Sequence, residues 1–277
     1  MTTAVAIAVV LILLVAVNLW VHVGPTGWHL MTGPLAALLA LLVARWAGLT
    51  WPELGLGQPT LLRGTQVAVA CTLAVALVYA AGVAIPFTRA AFRDTRYRLG
   101  LRAALYTSLV VVPLGTVLFE EVAFRSVLWG LLARDFGVSP ATFVSACLFG
   151  FWHVLPAVDL ARTHTSVRGQ SVAGGRRVAI TVLATIVFTT IAGIVFAELR
   201  RRSGSLVAPI GLHWATNGLG VLAAVRVWAI STGDAATPGE VATSDTGEVA
   251  ACDTAGVRGS VNHPVWQRIV RRLSGRS

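Results

Sequence analysis

Read from its first residue, the chain alternates long apolar runs with short polar interruptions, at a length scale that suits membrane helices. Thr3–Val23 carries no formal charge and can cross about 30 Å of hydrocarbon at about 1.5 Å per residue. No basic residue precedes it and no small-x-small cleavage site follows, which predicts a retained helix rather than a removed signal peptide. Leu30–Trp46 is the second run, followed by the turn-rich stretch Trp51-Pro-Glu-Leu-Gly-Leu-Gly57. The third, Thr65–Ile85, stops at Pro86. The fourth, Ala103–Ala133, exceeds what one straight crossing needs, so it must tilt, split, or kink near Pro113-Leu-Gly115. A fifth run covers Pro140–Val158, a polar loop Asp159–Arg177 follows, and Val178–Leu199 and Leu206–Ile230 are the sixth and seventh.

This pattern predicts an all-α polytopic transmembrane bundle of about seven to eight helices. Its organisation reads as an N-terminal two-helix segment with an interfacial linker (1–64), a transmembrane core (65–230), and a polar tail (231–277). Ser231–Ser260 turns to Thr, Gly, Ala, Asp and Glu, a disorder-prone composition. Val261–Arg276 intersperses Val265, Trp266, Ile269, Val270 and Leu273 with arginines, as a short basic amphipathic end would.

Composition agrees: 56% of the 277 residues are hydrophobic and 12% charged, where a soluble domain has about 25% charged residues. So few ionisable groups cannot cover a water-facing surface of this size, and a lipid bilayer is the implied solvent. The net charge of +10 is carried by arginine without lysine. These arginines fall between the apolar runs, where they would face anionic headgroups and set topology, rather than form a nucleic-acid surface. Most would lie on the side of the C-terminus, which predicts a cytoplasmic C-terminus in a multi-pass protein of a bacterial cell membrane. The Arg200–Arg202 cluster falls on the opposite side of that scheme. Cys71, Cys147 and Cys252 are scattered, without metal-ligand spacing or a disulfide framework.

Chemistry concentrates where the chain is otherwise apolar. Glu120 and Glu121 are the only acidic residues deep inside a run, and Arg125 follows them. A charge at membrane depth costs about 2.5–3.5 kcal/mol on insertion scales, so three within six residues require partners or a polar cavity. Helical spacing puts Glu121 and Arg125 on one face as an ion pair, which by itself would only clip helices together. Glu120, rotated by about 100°, is expected to point into a different space, free to accept a proton. The fifth run carries Phe149-Gly-Phe-Trp-His153, and the seventh carries His213 and Asn217 one turn apart between Gly211 and Gly218, small residues that admit a close helix neighbour. Convergence of Glu120, Glu121, Arg125, His153, His213 and Asn217 on one hydrated cavity would let them satisfy one another.

The three motifs Glu120-Glu121…Arg125, Phe149…His153 and His213…Asn217, in that order on successive membrane helices, resemble the CPBP family, the CAAX prenyl protease type II and bacteriocin-processing (Abi) intramembrane proteases. Glu53-Leu-Gly-Leu56 with Arg63-Gly64 resembles the segment upstream of that family's core. The resemblance implies an intramembrane endopeptidase in which Glu120 and His153 activate a water, His213 and Asn217 stabilise the oxyanion, and Glu121 and Arg125 support them. It implies a peptide or protein substrate at the membrane, lipidated or not. It also leaves open a zinc ion on Glu120, His153 and His213, since two imidazoles and a carboxylate can ligate Zn²⁺ with a water in an open position. Two other classes fit the residues less fully: a non-catalytic membrane immunity or scaffold protein, and a transporter with a buried Glu/His relay. The latter lacks a visible inverted repeat or matched broken helices.

Overall fold

A computed structural model describes residues 1–24, 29–166 and 174–233. Among these residues the structure is helical, with no strand. Eight helices follow one another: α1 (Thr3–Val23), α2 (His29–Trp46), α3 (Gln58–Ala84), α4 (Leu101–Phe136), α5 (Val138–Trp152), α6 (Val154–Ser166), α7 (Gly174–Ser203) and α8 (Val207–Gly233). Two short 3₁₀ turns, Pro86–Phe92 and Thr95–Tyr97, join α3 to α4. Five helical stretches are long and apolar enough to cross a bilayer, α2 is a shorter apolar helix, and α8, of 27 residues, is not among the five. Outward faces carry large apolar side chains, such as Leu73 and Leu77 on α3 and Leu183 and Phe188 on α7, with Leu77 72% exposed. Water would reject such a surface and acyl chains accept it. The chain is an integral membrane protein. The polar tail and its basic end, from 234 onward, lie outside the described residues.

The overlong fourth run does not split. α4 stays continuous over 36 residues and absorbs its length by widening into π-winding at Thr107–Val111, Pro113–Val117 and Val122–Leu128. Pro113 is one cause: it has no N–H to donate, and its ring crowds the carbonyl four residues back in an ordinary α-turn. Such π segments recur at functional sites, and the last begins directly after Glu121. α4 is also the hub of the core. Its segment Phe119–Leu132 is buried against Ala6, Val10, Leu14 and Val17 of α1, Ala36, Ala37, Ala40 and Ala44 of α2, and Phe149 of α5.

The fifth run ends earlier than expected and the polar loop starts later. α5 stops at Trp152, His153 takes a bridge conformation (φ −86°, ψ 4°), and α6 continues to Ser166. Pro156 explains the break. In an uninterrupted helix its missing N–H would abandon the Trp152 carbonyl, whereas in the first turn of a new helix that N–H is not required. The freed Trp152 carbonyl instead accepts from Asn18 Nδ2 of α1 at 3.0 Å.

The stretch between α2 and α3 forms a strap over the bundle. Ser126 Oγ donates to the Leu54 carbonyl (2.7 Å), Arg200 Nη2 to the Glu53 carbonyl (2.7 Å), and Leu206 N to the Gly55 carbonyl (2.8 Å). Gly55 has φ +76°, and a Cβ there would strike the Arg200 guanidinium. Glu53 turns back to accept from the amide and hydroxyl of Thr50, which hold its carboxyl below the usual range. Arg200 therefore braces the strap, and Arg201 and Arg202 both pair with Glu198.

α8 lies tightly on α3 and α4 through small residues. A Cβ on Gly211 would overlap Ala68 of α3, whose Cα would be 2.9 Å away, and a Cβ on Gly218 would be 3.1 Å from Ser108 Oγ of α4. Gly211→Leu is accordingly expected to destabilise the bundle by about 1–3 kcal/mol, the usual range for overpacking. Thermal unfolding in detergent should register the loss. Gly100→Ala, where a Cβ meets nothing within 4 Å, should leave the midpoint nearly unchanged.

Candidate active site

Three ionisable residues of α4 face the bundle interior: Glu120 is 5% exposed, Glu121 0% and Arg125 1%. The expected i,i+4 pair is present, with Arg125 Nη1 3.2 Å from Glu121 Oε1. His213 of α8, 4% exposed, enters between the two carboxylates. Its Nδ1 is 2.8 Å from Glu121 Oε1 and its Nε2 is 3.8 Å from Glu120 Oε2. Glu120 therefore does not occupy a separate space from Glu121. A 100° step separates the two side chains at the backbone, but an imidazole carries nitrogens on two edges and reaches one carboxylate with each.

Hydrogen-bond chemistry orients both imidazoles. Glu121 Oε1, ion-paired to Arg125, can only accept, so His213 Nδ1 is the donor and Nε2 faces Glu120. His153 Nδ1 lies 2.8 Å from the Phe149 carbonyl, again an acceptor, which leaves its Nε2 free for other partners. Each ring packs on Phe149, with centroid distances of 4.6 Å for His153 and 6.0 Å for His213.

Aromatic faces stand in for water around the buried cation. The Arg125 guanidinium carbon lies 3.8 Å from the Phe149 ring centroid and 4.9 Å from that of Phe196. Phe196 in turn stacks on His213 at 5.0 Å and 23°. Cation–π attraction is stronger where water is excluded, which makes a guanidinium with one carboxylate partner tolerable at this depth. Glu120 is held differently. Trp152 Nε1 donates to Oε1 at 3.0 Å, while Oε2 is buried with no hydrogen-bond partner among the described residues.

Residues 102–219, which include every side chain of this cluster, match the family of type II CAAX prenyl endopeptidases, Rce1-like. This segment is similar to an Rce1-like domain. No curated protein and no solved structure matches the chain. The Rce1-like domain runs from Arg102, at the start of α4, to Leu219 in α8, so α1, α2 and the strap lie outside it while packing against its central helix.

Of the six residues the sequence singled out, the structure brings Glu120, Glu121, Arg125 and His213 into direct contact. His153 joins through the Phe149 ring they share. Asn217 is exposed one turn beyond His213. Three contributors escaped the sequence reading. Trp152 stood beside His153 in an aromatic run, and its indole N–H, a donor that buried tryptophans usually pair, was the available signal. Phe196 sits in an apolar run that offers none, and Asn18 is a single amide in α1.

A zinc ion would require Glu120, His153 and His213 to converge on one point at about 2.0–2.2 Å. Among the described residues, no group of three His, Cys, Asp or Glu side chains is placed to hold a metal ion. His213 also directs one nitrogen to each of two carboxylates, and His153 commits Nδ1 to a backbone carbonyl. The donor set as arranged does not fit zinc.

Proposed function

We propose that the protein is an intramembrane endopeptidase that hydrolyses a peptide bond with a water activated by Glu120. The observation that carries this reading is the unpartnered, buried Glu120 Oε2 facing His213 Nε2 inside an Rce1-like domain. At 3.8 Å the pair is too far apart for a direct hydrogen bond, and in this reading the water to be activated is taken up against these two groups. In the first step the water oxygen attacks the scissile carbonyl carbon and its proton passes to Glu120. In the second, Glu120 returns that proton to the amide nitrogen as the C–N bond breaks, releasing a carboxylic acid and an amine.

His213, anchored by Glu121 and Arg125, orients the water. This is a revision of the assignment suggested by family resemblance, which paired Glu120 with His153. His153, whose Nε2 is not committed to the Phe149 carbonyl, is then the group that meets the substrate carbonyl, where donors preorganised for developing negative charge contribute most; Asn217, exposed and outside the cluster, is left without that role. Following the description of the family it matches, the substrate class we infer is a membrane-held C-terminal peptide bearing a prenyl thioether.

Comparative peptidomics of proteoliposomes carrying wild-type protein or Glu120→Gln, with and without a chelator, tests the reading. New cleavage products with wild-type protein only, unaffected by the chelator, are expected. Equal products from both proteins would refute Glu120 as the base, and loss of wild-type products on chelation would restore the metal alternative.

A further inference from the structure

A glutamate that takes a proton from water must present a chosen oxygen, yet the terminal torsion of glutamate is broad and roughly two-fold. Something has to set its plane. In this structure the indole N–H of Trp152 takes Oε1 of Glu120 at 3.0 Å, and Oε2 is the oxygen left facing His213. Hydrogen bonds to an ionised acceptor are shorter and roughly twice as strong as neutral ones, so one such bond fixes the carboxylate plane.

The indole is itself held from two directions. Its ring packs against Phe119 at 5.8 Å and Phe124 at 5.9 Å, both on α4. Its backbone lies at the α5–α6 break, where Pro156 leaves the Trp152 carbonyl without a helical partner. Asn18 Nδ2 supplies one from α1. Had the helix run on without Pro156, that carbonyl would be satisfied within it and α1 would have no polar hold here. The contacts thus run Asn18, Trp152, Glu120, from a helix outside the Rce1-like domain to the centre of the cluster.

We propose that Trp152 is a positioning residue that aims Glu120 Oε2 at His213, and that Asn18 of α1 holds Trp152 in place for this task. The proposal rests on the endopeptidase reading for its catalytic part. A tryptophan present only for packing would need its ring and not its N–H, and Phe would replace it with little loss of turnover.

Two measurements on the full-length protein in lipid nanodiscs separate these cases. The first is an indole ¹⁵N–¹H spectrum of [¹⁵N]tryptophan-labelled protein, in which the Trp152 signal among the nine tryptophans is the one missing from Trp152→Phe. In Glu120→Gln that signal should move upfield, because an ionised acceptor is replaced by a neutral one. An unmoved signal would overturn the proposal. The second is cleavage of an internally quenched peptide ending in farnesyl-Cys-Val-Leu-Ser. Trp152→Phe should lower kcat by about 10-fold to 10²-fold, the scale on which small misplacements act, with KM within about twofold and the thermal midpoint little changed. Asn18→Leu should lower kcat in the same direction by less. Wild-type turnover in Trp152→Phe, or a loss confined to KM, would overturn the positioning role; if Glu120→Gln were meanwhile inactive, the endopeptidase reading would stand without it. Wild-type protein inert toward this peptide would overturn the prenyl-peptidase reading alone; the Trp152→Phe comparison is then made on a peptide that the wild-type protein cleaves, with the same two outcomes.

Discussion

Replacing Glu120 with Gln is expected to lower peptide-bond cleavage by at least about 10²-fold, the lower part of the range that general acid–base catalysis supplies. The substitution changes little else. Gln keeps the length of the side chain, and its amide oxygen can still accept from Trp152 Nε1. Membrane insertion and the thermal midpoint should therefore match wild type while turnover falls. The position of Glu120 sharpens the expectation. It is 5% exposed and Oε2 has no partner that would be orphaned by the change, so no packing defect can account for a loss of rate. The decisive measurement is single-turnover cleavage at saturating peptide. A fall in kcat with intact binding assigns Glu120 to the chemistry, and retained turnover would remove it.

The second large effect concerns folding. Arg125→Leu deletes the cation of a pair whose members are 0–1% exposed, leaving Glu121 with an uncompensated charge at membrane depth. Breaking a buried pair from one side costs about 3–5 kcal/mol, enough to bring many proteins close to unfolding, since total stability is typically about 5–15 kcal/mol. The guanidinium also fills the space between Phe149 and Phe196, and Leu would not fill it equally. The single variant should show strongly reduced yield and midpoint in detergent. The double variant Glu121→Gln/Arg125→Leu should recover part of the loss, because it removes the stranded charge, and a double-mutant cycle reads the coupling. Equal stability of the single and double variants would show that the pair contributes shape rather than charge.

Much of the architecture was legible before any coordinates. The apolar runs announced helices because, in lipid, every backbone polar group must be satisfied within its own segment. The acidic pair with its arginine announced a site because isolated charges are too costly at that depth. Other features were not legible. The long fourth run could tilt, split or kink, and the outcome was π-winding, a rearrangement of hydrogen bonds that hydropathy cannot register. The α5–α6 break is not legible in the apolarity of the fifth run, because it turns on which carbonyl Pro156 abandons.

Periodicity within one helix says which residues share a face, and on that basis Glu121–Arg125 was correctly paired. It says nothing about how one helix is rotated against the next. His213 meets both carboxylates because Gly211 and Gly218 seat α8 closely on α3 and α4. Asn217, four residues on, is carried about 40° further round the helix and is exposed. The amino-acid sequence alone determined that this is a helical membrane protein with acid and imidazole groups buried in its spans, because composition and depth are properties of each segment by itself. Which imidazole faces Glu120, and that an indole donates to its carboxylate while an α1 amide donates to that tryptophan's carbonyl, only the tertiary structure decided, because contacts between helices depend on their mutual rotation and approach.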